Sequence, residues 1–470
     1  MTVADRILDY EDYVRRKLAL VIREGLSAKP KECGLFDHQR VLVEWALRRG
    51  SAAIFADTGL GKSRMQLAWA DTVHRETGGD VLILAPLAVA AQTVAEGAEI
   101  GVQVTHCREL EDVRPGVNII NYDRLHKLDC GRFVGVVLDE SSVIKHHNAK
   151  TFQSLTDAFR TTPYKLCATA TPAPNDWTEL GTHAEFLGIC SRAEMLAEYF
   201  CHDGGETQVW RLKGHARHLF WQWVATWGAM IRKPSDLGFD DGRYNLPPLR
   251  VHQHTVESCM ETANEAGFLF PMEAGDLSAR RDARRQSIDG RVEAAADLVN
   301  SNDRPWIVWC DLNAEGDALR KAIPGAVEIR GSDDADVKEQ RLIDFAAGKI
   351  RVLITKPSIA GWGLNWQHCR DVAFVGVTDS YEAYYQAVRR CWRFGQTQPV
   401  NVHVIASESE GSVVANIRRK EAIADAMAQE LSAETNAAVR SEVLGAQRAT
   451  NPYNNTRAMQ VPAWLQTEAA

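Results

Sequence analysis

Short apolar runs that end at turn residues recur between residues 51 and 170. They read SAAIFAD, DVLILAP, VNIINYD, FVGVVLDE and YKLCATATP, and stretches with helical periodicity separate them. Continuous apolar runs of this length are typical of strands buried on both faces, as in a parallel sheet covered by helices. The pattern therefore predicts an α/β unit with a mainly parallel sheet.

A second set of apolar runs follows after residue 300. These segments read PWIVWCDL, AVEIRG, IRVLITKP, DVAFVGV and NVHVIAS, and helical stretches such as DADVKEQRLIDFAAG again separate them. A chain of 470 residues also exceeds the size at which one hydrophobic core usually stops growing. We therefore predict two tandem α/β lobes of similar architecture.

The pattern divides the chain into five segments. The region from 186 to 250 breaks the alternation, and Trp210, Trp221, Trp223 and Trp227 cluster there. Such a cluster is typical of a packed bracing surface, with a base-stacking platform as the alternative. The predicted segments are an N-terminal helical segment (1–34), a first lobe (35–185), a Trp-rich helical linker or brace (186–255), a second lobe (256–411), and a C-terminal helix with a polar tail (412–470).

Charge and hydropathy narrow the possible partners. The chain has 54 basic and 62 acidic residues, a formal net charge of −8, which argues against a protein that binds nucleic acid by bulk positive charge, so any such contact must be local. No apolar run approaches the roughly 18 residues that span a bilayer. The charged start also lacks the apolar core of a signal peptide. We expect a cytoplasmic protein of a bacterial or phage-infected host, with no membrane partner.

The segment ADTGLGKS at 56–63 predicts a phosphate-binding loop, because it follows a predicted strand and precedes a helical stretch. Its glycines let backbone N–H groups surround phosphates, Lys62 supplies a cation for the β and γ groups, and the Ser63 hydroxyl can bind Mg²⁺. Ala56 stands where the usual pattern has its first glycine. ATP and Mg²⁺ are the predicted cofactors, with nucleotide contacts from Thr58, Gly59, Gly61, Lys62, Ser63 and Arg64.

An acidic pair, Asp139 and Glu140, ends the apolar run VVLDE. In a nucleotide hydrolase, Asp139 can hold Mg²⁺ and Glu140 can polarise the water that attacks the γ-phosphate. Acidic pairs at strand ends are common in turns. Following a phosphate-binding loop, however, this pair indicates a hydrolase.

These motifs, with others in order from residue 35 to about 411, resemble those of the superfamily-two helicases and, within them, the Swi/Snf-type helicase-like ATPases. LFDHQ is similar to the adenine-reading motif, with Gln39 in the base-contacting position. TAT at 169–171 resembles the motif that couples hydrolysis to strand contacts, and MIRKPSDL followed by LPP resembles the segment that joins the lobes. The resemblance implies two RecA-like lobes that close on one nucleotide, in a minimal form similar to those of phages and bacteria.

Two motifs of the second lobe complete the resemblance. SIAGWGLNW is similar to the glycine-rich fifth motif and QAVRRCWRFGQ to the sixth. Arg390 and Arg393 are three residues apart, so in a helix they would share one face and could both reach the γ-phosphate. The predicted catalytic residues are Lys62, Glu140, Arg390 and Arg393. The sequence departs from the family pattern at Ser142, which stands where many relatives have a histidine, and at Trp362 and Trp366.

The resemblance further implies that a strand crosses both lobes on the face away from ATP. Its phosphates would be held by hydroxyls, main-chain N–H groups and a few basic residues. Basic clusters at 279–285 and 416–421 could add contacts, although solvated charged faces are the usual interpretation. The candidates are Pro86, Gln92, Asn121, Tyr122, Lys145, Thr169, Thr171, Thr355 and Asn365, each of which alone is also typical of an ordinary loop or helix cap.

The resemblance thus implies an ATP-dependent translocase, on duplex or branched DNA in preference to RNA, with strand separation as the second possibility. Two alternatives remain. One is a nucleotide-switched DNA-binding clamp that barely hydrolyses ATP. The other is the motor subunit of a larger repair, replication or restriction assembly, with a protein partner at the linker or the C-terminal tail.

Overall fold

The computed structural model describes residues 25–32, 34–86, 89–174, 176–203, 206–256, 285, 287–360, 365–376, 380–407, 419, 440–441 and 443–444. Several predicted features lie outside the described residues. They are Trp362, most of the N-terminal segment, both basic clusters apart from Arg285 and Arg419, and nearly all of the predicted C-terminal helix and tail.

The first sheet has seven strands, all parallel, in the order β3-β4-β2-β5-β6-β1-β9. Five of these strands coincide with the apolar runs, which confirms the parallel sheet predicted for this region. The strands are β1 (Ser51–Ala56), β2 (Asp80–Ala85), β3 (Val104–His106), β4 (Val117–Asn121), β5 (Phe133–Asp139), β6 (Tyr164–Thr169) and β9 (Gly228–Ile231).

Helices cover both faces of this sheet because successive strand residues point in opposite directions. Ile54 of β1 packs in one core with Trp45 and Trp69, whereas the next residue, Phe55, packs in the other with Phe186. The helices of the first lobe are α1 (Asp37–Arg49), α2 (Lys62–Thr77), α3 (Ala90–Glu99), α4 (Lys150–Ala158) and α5 (Leu180–Leu187).

The segment predicted as a helical linker contains strands as well as helices. It comprises α6 (Arg192–Tyr199), an antiparallel hairpin of β7 (Phe200–Asp203) and β8 (Glu206–Leu212), α7 (Arg217–Trp227), and β9. The segment thus combines the expected helical stretches with strands that the sequence did not predict. Strand β9 has only four residues and pairs with β1 at the edge of the first sheet, so it is too short for a periodicity signal. Trp221 and Trp227 are buried in the first lobe's core, as a bracing surface requires.

The second sheet has six strands, again all parallel, in the order β10-β15-β14-β11-β13-β12. The two sheets confirm the predicted fold class of two α/β lobes, an arrangement consistent with the RecA-like fold. The strands are β10 (Leu249–Val256), β11 (Trp306–Trp309), β12 (Val327–Glu328), β13 (Val352–Thr355), β14 (Asp371–Phe374) and β15 (Val400–Ser407). The helices are α8 (Ile288–Asn300), α9 (Asn313–Ala322), α10 (Ala335–Ala346), α11 (Pro357–Ala360) and α12 (Tyr381–Val388).

Strand order determines where the predicted chemistry meets. Strands β5, β6 and β1 are neighbours in the first sheet, and the carboxyl ends of parallel strands share one edge. The acidic pair, the TAT segment and the phosphate-binding loop therefore lie side by side. Within the described ranges, every helix is too short or too polar to cross a membrane.

A buried ion pair holds the helices of the second lobe to its sheet. Arg291 of α8 and Glu315 of α9 are fully buried, and their Nη1 and Oε1 atoms are 2.7 Å apart. Arg291 also donates to the Val375 carbonyl beyond β14. The second oxygen of Glu315 accepts the N–H groups of Asp311 and Leu312, at 2.8 and 2.9 Å. Each of these charges has a specific partner inside the core.

We predict that Glu315→Ala destabilises the second lobe by about 3 to 5 kcal/mol, because it leaves the Arg291 guanidinium buried without its counter-charge. Segment-resolved hydrogen exchange gives the opening free energy of α8 and β14 directly. As a control, Asp157→Asn removes one half of an exposed ion pair with Arg160 and should cost below about 1 kcal/mol. Equal effects of the two variants would contradict this assignment.

Candidate nucleotide site and nucleic-acid cleft

The phosphate-binding loop connects β1 to α2 and needs glycine at two positions. Gly59 and Gly61 have φ of +94° and +80°, values that side chains with a Cβ rarely adopt. A Cβ on Gly61 would also lie 2.2 Å from Nε2 of Gln39. Helix α2 begins at Lys62, directly after Gly61, so the N–H groups of its first turn are not used within the helix. The loop can therefore bind an anion with backbone donors.

The side chain of Gln39 in α1 contacts the backbone of this loop. Its side chain is buried, with Nε2 donating to the Leu60 carbonyl at 2.9 Å and Oε1 accepting the Phe36 N–H at 3.0 Å. Both ends of the amide are thus already bonded to backbone. The geometry gives Gln39 a loop-positioning role, and the second N–H and second lone pair of the amide leave this role compatible with the predicted base contact.

Lys62 faces the acidic pair. Its Nζ donates to the Ala56 carbonyl at 3.0 Å. Burial lowers the pKa of Lys62, the Glu140 and Asp139 carboxylates oppose that shift, and the Arg393 charge adds to it. The phosphate-binding lysine, the acidic pair and an arginine of the other lobe therefore lie within electrostatic reach of one another.

Asp139 is buried at the end of β5. Its Oδ1 accepts a 2.6 Å hydrogen bond from Nε2 of Gln66, and its backbone carbonyl accepts one of 2.7 Å from the Tyr122 hydroxyl. Burial raises the pKa of Asp139 to about 7, and the neighbouring Glu140 charge adds to the rise. A cation bound here would offset both effects.

Glu140 has an unusual backbone conformation. Its φ is +51°, a region that non-glycine residues seldom occupy and that is frequent at functional sites. Oε2 of Glu140 accepts a hydrogen bond of 3.3 Å from the Thr169 hydroxyl. The turn after β5 and the end of β6 together orient this carboxylate.

The donor set fits Mg²⁺ held jointly with a nucleotide. Among the described residues there is no group of three or more acidic, histidine or cysteine side chains that could hold a metal by itself. Mg²⁺ is usually bound through one or two carboxylates together with substrate phosphates. Asp139, with the Ser63 hydroxyl at the start of α2, supplies oxygen donors of that kind.

Arg390 and Arg393 of the second lobe both lie within electrostatic range of Glu140, and Arg390 also lies within range of Asp139. Burial lowers the pKa of Arg390 to about 10, and the Glu140 and Asp139 carboxylates oppose the shift. Burial, together with the Arg390 charge, lowers the pKa of Arg393 to about 9, and Glu96 and Glu140 oppose it. The structure thus brings both predicted arginines to the nucleotide site of the first lobe.

The arginine segment is not the helix in which Arg390 and Arg393 would share one face. Helix α12 ends at Val388, so Arg390 and Arg393 lie in the turns that follow it. Arg390 is held there by Gln386, whose carbonyl and Oε1 each accept a hydrogen bond of 3.1 Å. The two arginines face the same site because of these turns and not because they share a helix face.

Sequence reasoning missed three residues that join the lobes at the phosphate-binding loop. Asp57 of the loop is bonded to both Arg389 and Tyr385 of the second lobe. Next to them, the position of a Cβ on Gly59 is 2.9 Å from the backbone N of Phe394. The available signal was a pair of opposite charges, Asp57 and Arg389, inside two motifs that were expected to meet.

The other predicted nucleotide contacts are less well placed. Arg64 bonds to Glu99 at 2.6 Å and to the Gly34 carbonyl at 3.2 Å, so its guanidinium is used at the surface of the first lobe. The Thr58 N–H donates to Oδ1 of Asp57 at 2.6 Å. Contact of either group with a nucleotide would require a rearrangement.

A cleft of about 630 Å³ lies between the lobes. Four of the predicted strand-binding residues line it, together with Ser142, Glu140 and residues of the second lobe. Lys145 forms an ion pair across the cleft with Glu382. The predicted residues in the lining are Pro86, Asn121, Tyr122 and Lys145, and second-lobe residues include Asp336, Lys338, Ser358 and Glu382.

The side chains of two predicted strand-binding residues form hydrogen bonds outside the cleft. Thr355 is fully buried, and its hydroxyl donates to the Ile329 carbonyl at 3.2 Å. It therefore does not fit the predicted role, because its only polar side-chain atom is used in the core. Gln92 donates to Oε1 of Glu96 at 2.6 Å along α3 and is not part of the cleft lining.

The last three candidates lie near the nucleotide site or within the second lobe. Thr169 is fully buried and bonded to Glu140, and its hydroxyl also accepts the Thr171 N–H at 3.2 Å. Asn365 is partly buried, and the next residue, Trp366, donates its N–H to the Arg390 carbonyl at 2.9 Å. These contacts connect the TAT segment to the acidic pair and the fifth motif to the sixth.

Comparison with known proteins supports a helicase-superfamily assignment. The model of the helicase conserved C-terminal domain matches residues 290–395, a range that contains α12, Arg390 and Arg393. Protein p41 of Acyrthosiphon pisum secondary endosymbiont phage 1 is 24% identical over 456 residues, covering 83% of this chain and 96% of that protein. The domain match implies a nucleic-acid-dependent function of the helicase or translocase type.

We predict that Gly59→Ala loosens the contact between the lobes, because the added Cβ meets the backbone of Phe394. Hydrogen exchange of residues 389–396 in the nucleotide-free protein should become about ten-fold faster. Gly101→Ala is a matched control, since Gly101 also has a positive φ, +71°, but has no atom within 4 Å of its Cβ position. That variant should leave exchange in 389–396 unchanged. Equal acceleration in both variants would show that backbone strain alone explains the effect.

Proposed function

We propose that this chain is an ATP-driven DNA translocase that hydrolyses ATP between its two lobes and moves along DNA held in the cleft. One observation carries the proposal. The second-lobe segment that contains Arg390 and Arg393 contacts the phosphate-binding loop through Arg389 and Phe394, and both arginines lie within electrostatic range of Glu140. Cationic groups delivered across a cleft to a phosphate-binding loop are suited to stabilising a transferring phosphoryl group.

Each group then has a defined role in hydrolysis. Lys62 and the N–H groups at the start of α2 hold the triphosphate. Asp139 and Ser63 would hold Mg²⁺, which neutralises charge on the phosphoryl oxygens. Arg390 and Arg393 stabilise the negative charge that develops on the γ-phosphoryl group.

Glu140 positions and deprotonates the attacking water. The oxygen of that water forms a bond to the γ-phosphorus, the bond to the β–γ bridging oxygen breaks, and the proton passes to the Glu140 carboxylate. ADP and phosphate are the products. The 3.3 Å hydrogen bond from Thr169 holds the carboxylate in one orientation, and such pre-positioning lowers the barrier.

The nucleotide site and the cleft share residues, which supports coupling between them. Glu140 belongs to the acidic pair and also lines the cleft. Tyr122 lines the cleft and donates a hydrogen bond to the Asp139 carbonyl. A strand that displaces Tyr122 would therefore shift the turn that carries both carboxylates. Nucleotide and strand would bias the same closed arrangement of the lobes.

Local contacts, rather than a basic surface, would hold the strand. The cleft lining has four lysine or arginine residues and five acidic ones, so its formal charge is close to neutral. DNA as the track follows from the resemblance to Swi/Snf-type enzymes, which move along one strand of a duplex without wide unwinding. A near-neutral cleft suits a motor that must release and regain its grip at each step.

We predict that DNA stimulates ATP hydrolysis by the wild-type chain and that Lys62→Ala or Glu140→Gln abolishes turnover while DNA binding remains measurable. Arg393→Ala should lower kcat by about three to five orders of magnitude. The measurement is steady-state hydrolysis with single-stranded, duplex and forked DNA and with RNA. Arg370→Gln, which removes a second-lobe guanidinium bonded to Gln398, should keep wild-type kcat.

Two results would contradict the proposal. If the wild-type chain binds DNA but hydrolyses ATP at the same slow rate with every ligand, a nucleotide-switched clamp is the better description. If RNA stimulates hydrolysis and no DNA ligand does, the assignment of the track is wrong.

We also predict opposite effects of two substitutions in the cleft. Lys145→Ala should weaken DNA binding and lower the number of counterions released on binding by about one, as measured from the salt dependence of the binding constant. Glu382→Gln should strengthen binding, because Lys145 then meets a phosphate without a competing carboxylate. Fluorescence anisotropy at several salt concentrations tests both, and Lys349→Ala, at an exposed ion pair with Asp344, is the control. Weaker binding in both cleft variants would indicate structural damage instead.

A further inference from the structure

We propose that Tyr385 and Arg389 are positioning residues that clamp the second lobe onto Asp57 of the phosphate-binding loop. In this clamp, Arg389 also neutralises Asp57 so that the loop can accept a triphosphate. The inference rests on the proposed function in one respect, namely that ATP binds at this loop.

The clamp uses both oxygens of Asp57. The Tyr385 hydroxyl donates to Oδ1 at 2.6 Å, and Nη2 of Arg389 donates to Oδ2. Nε of Arg389 also donates to the Tyr385 hydroxyl at 3.1 Å. The Arg389 and Asp57 side chains are 6% and 20% exposed, so solvent screens their attraction much less than that of a surface pair.

Aromatic rings hold Arg389 in this orientation. Its guanidinium carbon lies 5.3 Å from the ring centre of Tyr385 and 4.8 Å from that of Trp392, within range for cation–π attraction. The indole N–H of Trp392 donates to the Pro247 carbonyl at 2.7 Å, which ties the cluster to the segment that enters β10. The guanidinium is therefore oriented by the second lobe before it meets Asp57.

Asp57 carries its negative charge inside a loop that must bind an anion. Burial by itself would raise the pKa of Asp57, but the Arg389 charge and the hydrogen bonds from Tyr385 and Arg389 bring it below its ordinary value. Asp57 is also close enough to Lys62 to raise the pKa of that lysine. An ionised Asp57 without Arg389 would thus compete with the triphosphate for Lys62.

The clamp also determines where the catalytic arginines lie. Tyr385 and Arg389 are four residues apart at the end of α12, and Arg390 and Arg393 follow directly in the chain. The backbone of the next residue, Phe394, is packed against Gly59 of the loop. Because the segment contacts the loop at both ends, loss of the Asp57 contact would allow the arginines to move. A misplacement of about 1 Å can cost roughly 100-fold in rate.

The test separates the charge from the positioning effect by comparing three variants. Arg389→Gln should raise the KM for ATP about ten-fold and lower kcat about 100-fold, because Asp57 is left uncompensated and the segment is released. Asp57→Asn should lower kcat to a similar extent without raising KM. The double variant should return KM to within about two-fold of wild type while kcat stays low, since the two changes remove one interaction.

A second readout does not depend on ATPase activity. In the nucleotide-free protein, hydrogen exchange of residues 56–62 and 388–396 should be about ten-fold faster in Arg389→Gln. Adding Asp57→Asn to Arg389→Gln should not make the exchange of these residues any faster. Arg370→Gln is the matched control for removal of a guanidinium and should leave exchange, KM and kcat unchanged.

The outcomes distinguish the clamp from the proposed function. If the wild-type chain hydrolyses no ATP, the proposed function fails, and the exchange measurement still decides whether the clamp exists. If hydrolysis is normal and Arg389→Gln keeps wild-type kcat, KM and exchange, the clamp is refuted. Equal rises in KM for Arg389→Gln and Asp57→Asn would also refute it. A purely structural defect would raise KM in both variants, whereas the clamp raises it only where the negative charge of Asp57 is left uncompensated.

Discussion

Buried and half-buried charges of opposite sign, contributed by different lobes, meet at one edge of the first sheet. Asp57, Asp139 and Glu140 come from the first lobe, and Arg389, Arg390 and Arg393 come from the second. Burial of like charges within either lobe alone would be strongly unfavourable, whereas burial of the two sets together provides counter-charges. The closed arrangement of the lobes and the chemistry of the site are therefore consequences of the same electrostatic requirement. On the proposed function, a triphosphate would add negative charge to this edge, so its arrival and hydrolysis would alter the balance that holds the lobes together.

The fold brings these groups together through strand order. In the first sheet, β5, β6 and β1 are adjacent, and each ends in residues of the site. The turn after β5 then extends the site into the cleft, because Glu140 belongs to both and Tyr122 bonds to the neighbouring Asp139 carbonyl. If the cleft holds a strand as proposed, that strand would act on the nucleotide site through about one hydrogen bond. Such short coupling needs no separate transmission element.

Local sequence patterns predicted the parts of the molecule that depend on local structure. The apolar runs predicted most of the parallel strands because those strands are buried on both faces. Strand β10 was missed because residues such as His252 and Gln253 are exposed, so it lacks an apolar run. Thr355 was assigned to strand binding, yet its hydroxyl is bonded inside the core. The sequence does not indicate the direction of a side chain at the end of β13. The pairing of Asp57 with Arg389 spans 332 residues and depends on how the two lobes dock, which no local pattern encodes.

The most direct measurement is an experimental structure of the chain with Mg²⁺, ADP and a planar mimic of the transferring phosphoryl group. We expect the Arg390 and Arg393 guanidinium groups to lie within about 3 Å of the mimic, on the side opposite the loop that carries Lys62, with Glu140 beside the attacking water. A complex in which the nucleotide is bound at the loop while both guanidinium groups point away from the mimic would contradict it.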